Sequence, residues 1–301
     1  MTKAAKDVSP ISPKSVKPPS PPSAKITLAH ESLSAKNSKA TPKSAQNSSK
    51  PILIMECGDI TLEKANKTLG FGPMFMEAAA FTSQEAVVMD MVNEPQDLDP
   101  LNLPYQGLIV TGSIEMVTSP RPWAVKVLGF LKQTFQLGLP TLGICWGHHA
   151  IALVAGGLAD YHPNGMELGS HEIIMEPEAQ DHPLLTGLPE KFPAYESHSQ
   201  TVIVVPPGAK VLGHSQHDPH QILAYGDHTL TCQFHPEFTA PFMKDLLADM
   251  EDHQPAPDLP PGIVLGSQPN DTNPSRIIIR RFLDLCRGYQ MAQPRYGLTT
   301  G

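Results

Sequence analysis

The 301-residue chain lacks several features that would settle a function class at once. No apolar run is long enough to span a bilayer as a helix. No apolar h-region is present, so a secretory signal is not expected. Arginine is missing from the first fifty residues and prolines break them up, which argues against a mitochondrial presequence. There is no Walker-type phosphate loop and no dinucleotide fingerprint. The only cysteines, Cys57, Cys145, Cys232 and Cys286, are scattered. No paired Cys motif supports zinc, and reduced thiols in a cytoplasmic protein are expected rather than disulfides. Neither a metal nor a cofactor is expected.

The formal net charge is −8 and is unevenly spread. The first fifty residues hold nine lysines against only Asp7 and Glu31. Stretches such as Pro18-Pro19-Ser20-Pro21-Pro22 cannot form a periodic apolar face, so residues 1–50 read as a disordered, solvated tail. A polybasic tether or an organelle address is the alternative. The remainder is correspondingly more acidic, which argues against nucleic-acid binding by that body.

From residue 51 onward the pattern is that of an α/β fold. Apolar runs at 51–56, 86–92 and 108–110 read as strands, and residues 61–69 read as helical. Residues 123–137 carry apolar positions at helical spacing and end at Gly138. Alternating strands and helices imply a mostly parallel central sheet flanked by helices, with the active site at the carboxyl ends of the strands. After Gly156-Gly157, short strands at 172–175, 201–205, 211–213 and 221–225 suit a small antiparallel flank. That flank returns a final strand, 229–234, to the centre. A helix over 239–250 follows, then a proline-rich loop or insertion at 254–274. A terminal helix over 277–286 should pack on the body. Residues 291–301 read as a flexible C-terminus, leaving 51–290 as the domain.

Chemistry concentrates in Gly143-Ile144-Cys145-Trp146-Gly147-His148-His149. A buried strand stops at a Gly-x-Cys-x-Gly turn and runs on into a helix of small residues, the layout of a nucleophile elbow with a thiol. The flanking glycines avoid crowding, and the thiol sits at a helix N-terminus, where the helix dipole favours a thiolate. Far downstream, Phe234-His235-Pro236-Glu237 ends another strand. Glu237 can hold one ring nitrogen of His235 while the other faces Cys145, giving a Cys–His–Glu triad in that order. A turn or capping histidine is the plainer reading of His235 taken alone.

These segments resemble the class I glutamine amidotransferases, and most of all the glutaminase domain of GMP synthase and its stand-alone relatives. Gly143 to Gly147 stands where that family has its nucleophile motif, His235-Pro236-Glu237 where it has His-Pro-Glu, and Thr111-Gly112-Ser113 resembles its oxyanion-hole loop. The resemblance covers about residues 51–250. It implies a flavodoxin-like three-layer fold and attack of Cys145 on a side-chain amide. The oxyanion would be held by backbone N–H groups of Trp146 and of the Gly112–Ser113 loop. It also implies His235 as acid and base through a thioester. Where the family has Gln, this chain has His149, which either contacts substrate or packs on the elbow helix. Tyr195-Glu196-Ser197-His198-Ser199 resembles the family's Ser-His loop, so His198 is a substrate or neighbouring contact, or else a surface-turn residue.

The substrate expected is glutamine or a γ-glutamyl peptide, since both present the same electrophile and some stand-alone relatives are γ-glutamyl peptidases. The Ser-Gly-Gly-x-Asp motif of the synthase half is missing, so an ammonia-accepting synthase is expected to be a separate polypeptide, or there is no acceptor at all. A catalytically silent regulatory protein of this fold is the reading from another class. His214, His217 and His220 recur at threes around Asp218 and Pro219 and read as a solvated loop rather than a metal site.

Overall fold

The computed structural model describes residues 50–94, 96–250, 262–270 and 273–289. The basic tail before Lys50, residue 95, residues 251–261 with the start of the proline-rich stretch, residues 271 and 272, and the C-terminal residues 290–301 lie outside the described residues.

In chain order the elements are β1 (Ile52–Glu56), β2 (Asp59–Leu62), β3 (Lys67–Gly70), α1 (Phe71–Ala78), β4 (Ala86–Asp90) and β5 (Leu108–Val110). Then come α2 (Pro122–Gln136), β6 (Thr141–Ile144), α3 (Trp146–Val154), β7 (Leu158–Tyr161), β8 (Met166–Met175) and β9 (Lys191–His198). The rest are β10 (Gln200–Val204), β11 (Lys210–His214), β12 (Ile222–Ala224), β13 (Thr229–Cys232), α4 (Ala240–Met250), β14 (Ile263–Leu265) and α5 (Ile277–Gly288).

The main sheet runs β14-β8-β11-β12-β13-β6-β5-β1-β4, with β9 added against β8. From β13 to β4 every pair is parallel. Strands β11, β12 and β13 meet antiparallel, so the chain turns back twice before β13 settles beside β6. The parallel strands are apolar on both faces, as burial between two helix layers requires. Ile52 and Ile54 of β1 pack on one side with Phe75 of α1 and Ile278, Ile279 and Phe282 of α5. Leu53 and Met55 pack on the other with Trp123 and Val127 of α2 and Ile151 of α3. This is the three-layer α/β architecture expected, and α5 packs on the body.

Two expectations fail. Residues 61–69 are not a helix but most of a β2–β3 hairpin, and the helix begins only at Phe71. Thr61 and Thr68 face each other across the hairpin with hydroxyls 3.0 Å apart, and Asn66 takes φ 48° in the turn. Cross-strand threonines and a left-handed asparagine outweigh a weak helical spacing. The proline-rich stretch is also not wholly loop. Ile263–Leu265 joins the sheet edge parallel to β8, and the Ser267 N–H donates to the Ser170 carbonyl at 2.8 Å. The antiparallel flank is larger than its short apolar runs suggested: β8 is ten residues long and pairs with β9 along eight positions.

Candidate active site

Three adjacent strands bring Cys145, Gly112 and His235 to one end of the sheet. β6 is flanked by β5 and β13, all parallel. Cys145 follows the last residue of β6, Thr111-Gly112 follows β5, and His235 lies three residues beyond β13. Their carboxyl ends are where an open α/β sheet leaves room for a ligand.

Cys145 has φ 50° and ψ −102°, a conformation costing a non-glycine residue about 1–3 kcal/mol. Hydrogen bonds hold it on both sides: its N–H donates to the Cys232 carbonyl at 2.9 Å, and its own carbonyl accepts from the His149 N–H at 3.1 Å. Helix α3 starts at the next residue, earlier than the small-residue run suggested.

The His235 ring donates from Nδ1 to Glu237 Oε1 at 2.7 Å and lies near enough to the Cys145 side chain for the sulfur to act on its charge. Burial alone would lower its pKa. Glu237 and the Cys145 sulfur outweigh burial and lift it to about 10. The ring is also held by stacking: Phe238 lies parallel to it at 3.9 Å between centroids, with Phe71 further out at 6.1 Å. The His235 N–H donates to the Tyr195 carbonyl at 2.8 Å, which ties the residue to β9. Gly112 closes the arrangement, because a Cβ there would sit 2.9 Å from His235 Cε1 and 3.6 Å from the Cys145 Cβ. Any side chain at 112 would push the imidazole off the thiol.

Ser113, Trp146, His149 and His198 line the same cavity, of about 360 Å³, as Cys145 and His235. His149 does both things open to it in sequence. It packs against the elbow, donating from Nε2 to Gln233 Oε1 at 2.6 Å, and it also borders the cavity. Burial lowers its pKa to about 4, so it stays neutral at physiological pH. Its partner Gln233, two residues before His235, gave no sign of that role in sequence. His198 is not a surface-turn residue. It ends β9, is fully enclosed, and contacts Glu167 Oε2 at 3.0 Å. Burial would lower its pKa, but the Glu167 hydrogen bond and the Asp218 and Glu167 charges raise it overall. Next to it Glu196 is buried, and burial together with Glu167 and Asp218 pushes its carboxyl well above the usual range.

The histidine-rich segment is not a solvated loop. His214 ends β11 and contacts Glu176 at 3.0 Å. His217 donates to the Gly165 carbonyl and stacks on His162, and His220 donates to the Val202 carbonyl at 2.7 Å. Asp218, between them, is completely buried. Cys57 is a packed thiol whose pKa burial pushes up.

The sequence profile of the family described as glutamine amidotransferase class-I matches residues 79–250, more than half of the chain. The chain belongs to the class I glutamine amidotransferase family. Among its curated relatives, γ-glutamyl peptidase 5 of Arabidopsis thaliana is 25% identical over 51% of this chain and 61% of its own length. GMP synthase of Thermomicrobium roseum is 30% identical over 56% of this chain but only 31% of its own. A glutamine-hydrolysing GMP synthase subunit of Ignicoccus hospitalis is 39% identical over 50% of this chain and 79% of its own. The chain thus spans less than two thirds of the length of the first two. A solved glutamine amidotransferase from Methylobacillus flagellatus superposes with a TM-score of 0.61 at 18% identity, over 82% of this chain and 98% of that one, and so shares the fold.

Proposed function

We propose that this amidotransferase hydrolyses the side-chain amide of a γ-glutamyl compound with Cys145, His235 and Glu237 as its triad. The observation that supports it most is the convergence of a strained thiol, a carboxylate-clamped imidazole and the Gly112 loop from three adjacent strand ends. Cys145 Sγ attacks the amide carbon. Backbone N–H groups of Trp146 and of the Gly112–Ser113 loop hold the oxyanion, each worth roughly 3–4 kcal/mol of barrier. His235 passes a proton to the departing ammonia or amine, leaving a thioester. His235 then takes a proton from water, the hydroxide displaces the thiol, and glutamate leaves.

Glu237→Gln keeps the shape of the side chain but removes the charge that sets the imidazole's tautomer and supports its proton. We expect kcat to fall roughly 10²–10⁴-fold. Stability should respond as well. The pKa of His235 is raised in the folded state, so its contribution is fully present below the unfolded value near 6.5 and is lost as pH rises through about 10. Urea unfolding at pH 6, 8 and 10 should show stability falling across this window in the parent and a flatter profile in Glu237→Gln. An equally steep fall in both would remove Glu237 from the role.

If ammonia is the product, we assign its use to a separate synthase polypeptide, the division of labour implied by the word "subunit" in the name of the Ignicoccus relative. A specific observation favours the peptidase reading instead. The cavity beside Cys145 is walled by Ile60, Phe71, Met166, Phe238, Leu246 and Met250. Free glutamine offers this wall only its short methylene stem, whereas a substituted amine can fill it. Burying one large apolar side chain is worth about 1.5–3 kcal/mol. We therefore expect kcat/KM for γ-glutamyl-phenylalanine to exceed that for glutamine by roughly 10–100-fold. Release of amine and of ammonia, with the acyl-enzyme weighed by mass spectrometry, measures it. Glutamine as the better substrate would return the glutaminase reading, and no acyl-enzyme with either would remove both.

A further inference from the structure

Beside the thiol, the β8–β9 ladder buries two carboxylates, Glu167 and Glu196, against a single imidazole, His198. Glu196 and His198 are two apart on β9, so period-two alternation puts both on one face. Glu167 stands opposite His198 in the ladder and reaches the same face. All three are buried, and one donor atom from each lies within 4.8 Å of the others. His198 Nε2 is 3.0 Å from Glu167 Oε2 and 3.5 Å from Glu196 Oε2. Donor atoms held at about 2.0–2.2 Å around a single ion lie at roughly this distance from one another.

The hydrogen bonds around the cluster point the same way. His198 Nδ1 is 2.8 Å from the Gln200 carbonyl oxygen. A carbonyl only accepts, so Nδ1 carries a hydrogen and Nε2 is the atom turned toward the two carboxylates, where an ion would take the place of its proton. A backbone carbonyl commonly fixes a metal-ligating histidine in this way. His171 repeats the pattern. Its Nε2 donates to the Leu168 carbonyl at 3.0 Å, while Nδ1 faces Glu167 Oε1 at 3.2 Å. Glu167 does accept from Ser215 at 2.8 Å and from Gln221 at 2.9 Å. Glu196 is different: it is fully buried, and neither of its oxygens accepts a hydrogen bond. Among the described residues no lysine or arginine pairs with Glu167 or Glu196. A carboxyl buried in this state takes either a proton or a positive partner, and a metal ion shared with Glu167 and His198 is the partner this geometry suits.

We propose that Glu167, Glu196 and His198 bind a divalent first-row transition-metal ion of the zinc class. One imidazole nitrogen with two carboxylates is a donor set for such ions rather than for calcium or magnesium. The site is structural. Ser197 lies between two of the ligands, and its carbonyl is 3.9 Å from Cys145 Sγ. The ion thus fixes β9 where it borders the nucleophile, and it touches no substrate.

The test uses the untagged full chain carrying Cys145→Ala, so that the thiol cannot be the ligand. The protein is stripped with a chelator and dialysed against Zn²⁺, and its metal content is measured. We expect one equivalent per chain and a Zn²⁺-dependent rise in Tm. Glu196→Gln, which preserves shape, should weaken binding at least 10-fold and abolish the rise in Tm, and His198→Gln should remove binding. His228→Gln, well away from the cluster, should bind as the parent does. Co²⁺ in place of Zn²⁺ should give visible bands without a thiolate charge-transfer band. Retention below a tenth of an equivalent, or binding unchanged in Glu196→Gln, would overturn the site. So would ¹⁵N spectra of the Zn²⁺-equilibrated protein showing protons on both ring nitrogens of His198, since the cluster would then be neutralised by a proton.

Discussion

Cys145→Ala is expected to reduce amide hydrolysis to background, a loss of roughly 10⁵–10⁶ in kcat. The size follows from the division of labour at the site. The imidazole and the backbone donors remain in the variant, but no atom is left to form the thioester, so only oriented water can attack. The variant should fold. Alanine shares the Cβ of cysteine, and the strain at φ 50° is therefore unchanged. The two hydrogen bonds that pin residue 145 are made by its main chain. Circular dichroism and the urea midpoint should match the parent within about 1 kcal/mol, so lost activity would report chemistry rather than unfolding. Turnover above one per cent of the parent on glutamine or on γ-glutamyl-phenylalanine would exclude a thioester. A chain that is inactive before any substitution, and whose Cys145 fails to react with a glutamine-like electrophile, would belong to the catalytically silent class.

The parts of this site that sequence revealed are those whose geometry is written into neighbouring residues. Gly143 to Gly147 encodes a turn, and His235-Pro236-Glu237 places an imidazole and its carboxylate two residues apart. The Glu237 contact at 2.7 Å is thus local in origin. What stayed hidden arises from strand pairing. Glu167 and His198 are 31 positions apart and meet only because β8 and β9 align. His149 and Gln233 are 84 apart and meet because β13 lies beside β6. A long, partly polar strand such as β9, with Glu196 and His198 turned inward, does not look like a strand when apolar runs are the guide. The hairpin at 59–70 was obscured for another reason. Leu62, Ala65 and Leu69 fall at helical spacing, yet Leu62 and Leu69 join a satellite cluster with Phe71, Phe238 and Phe242 under α4. The histidine triplet misled because sequence shows that histidines are close together but not that each finds a backbone carbonyl or carboxylate of its own.

Gly147→Ala is expected to destabilise the fold by about 3 kcal/mol or more, an overpacking cost at the high end for a single methyl group. A Cβ at 147 would lie 2.3 Å from the Val110 carbonyl oxygen, and a Cβ at 143 would lie 2.7 Å from the Gly147 oxygen. The two glycines of the elbow therefore let α3 lie directly against β5 and β6. Neither contact can relax cheaply. Val110 is paired on both sides, with Met55 of β1 and Gly143 of β6, so moving its carbonyl disturbs two ladders in the centre of the sheet. Activity should fall with stability, because a displaced α3 moves the Trp146 N–H away from the oxyanion. Gly129→Ala, at an exposed position on α2, is the matched control. Nothing lies within 4 Å of its Cβ position, and alanine there should stabilise by about 0.5–1 kcal/mol through helix propensity. Urea midpoints of the two variants should thus move in opposite directions from the parent. A Gly147→Ala protein as stable as Gly129→Ala would mean that the helix does not rest on the sheet at the elbow, and the support for the strained Cys145 would have to come from elsewhere.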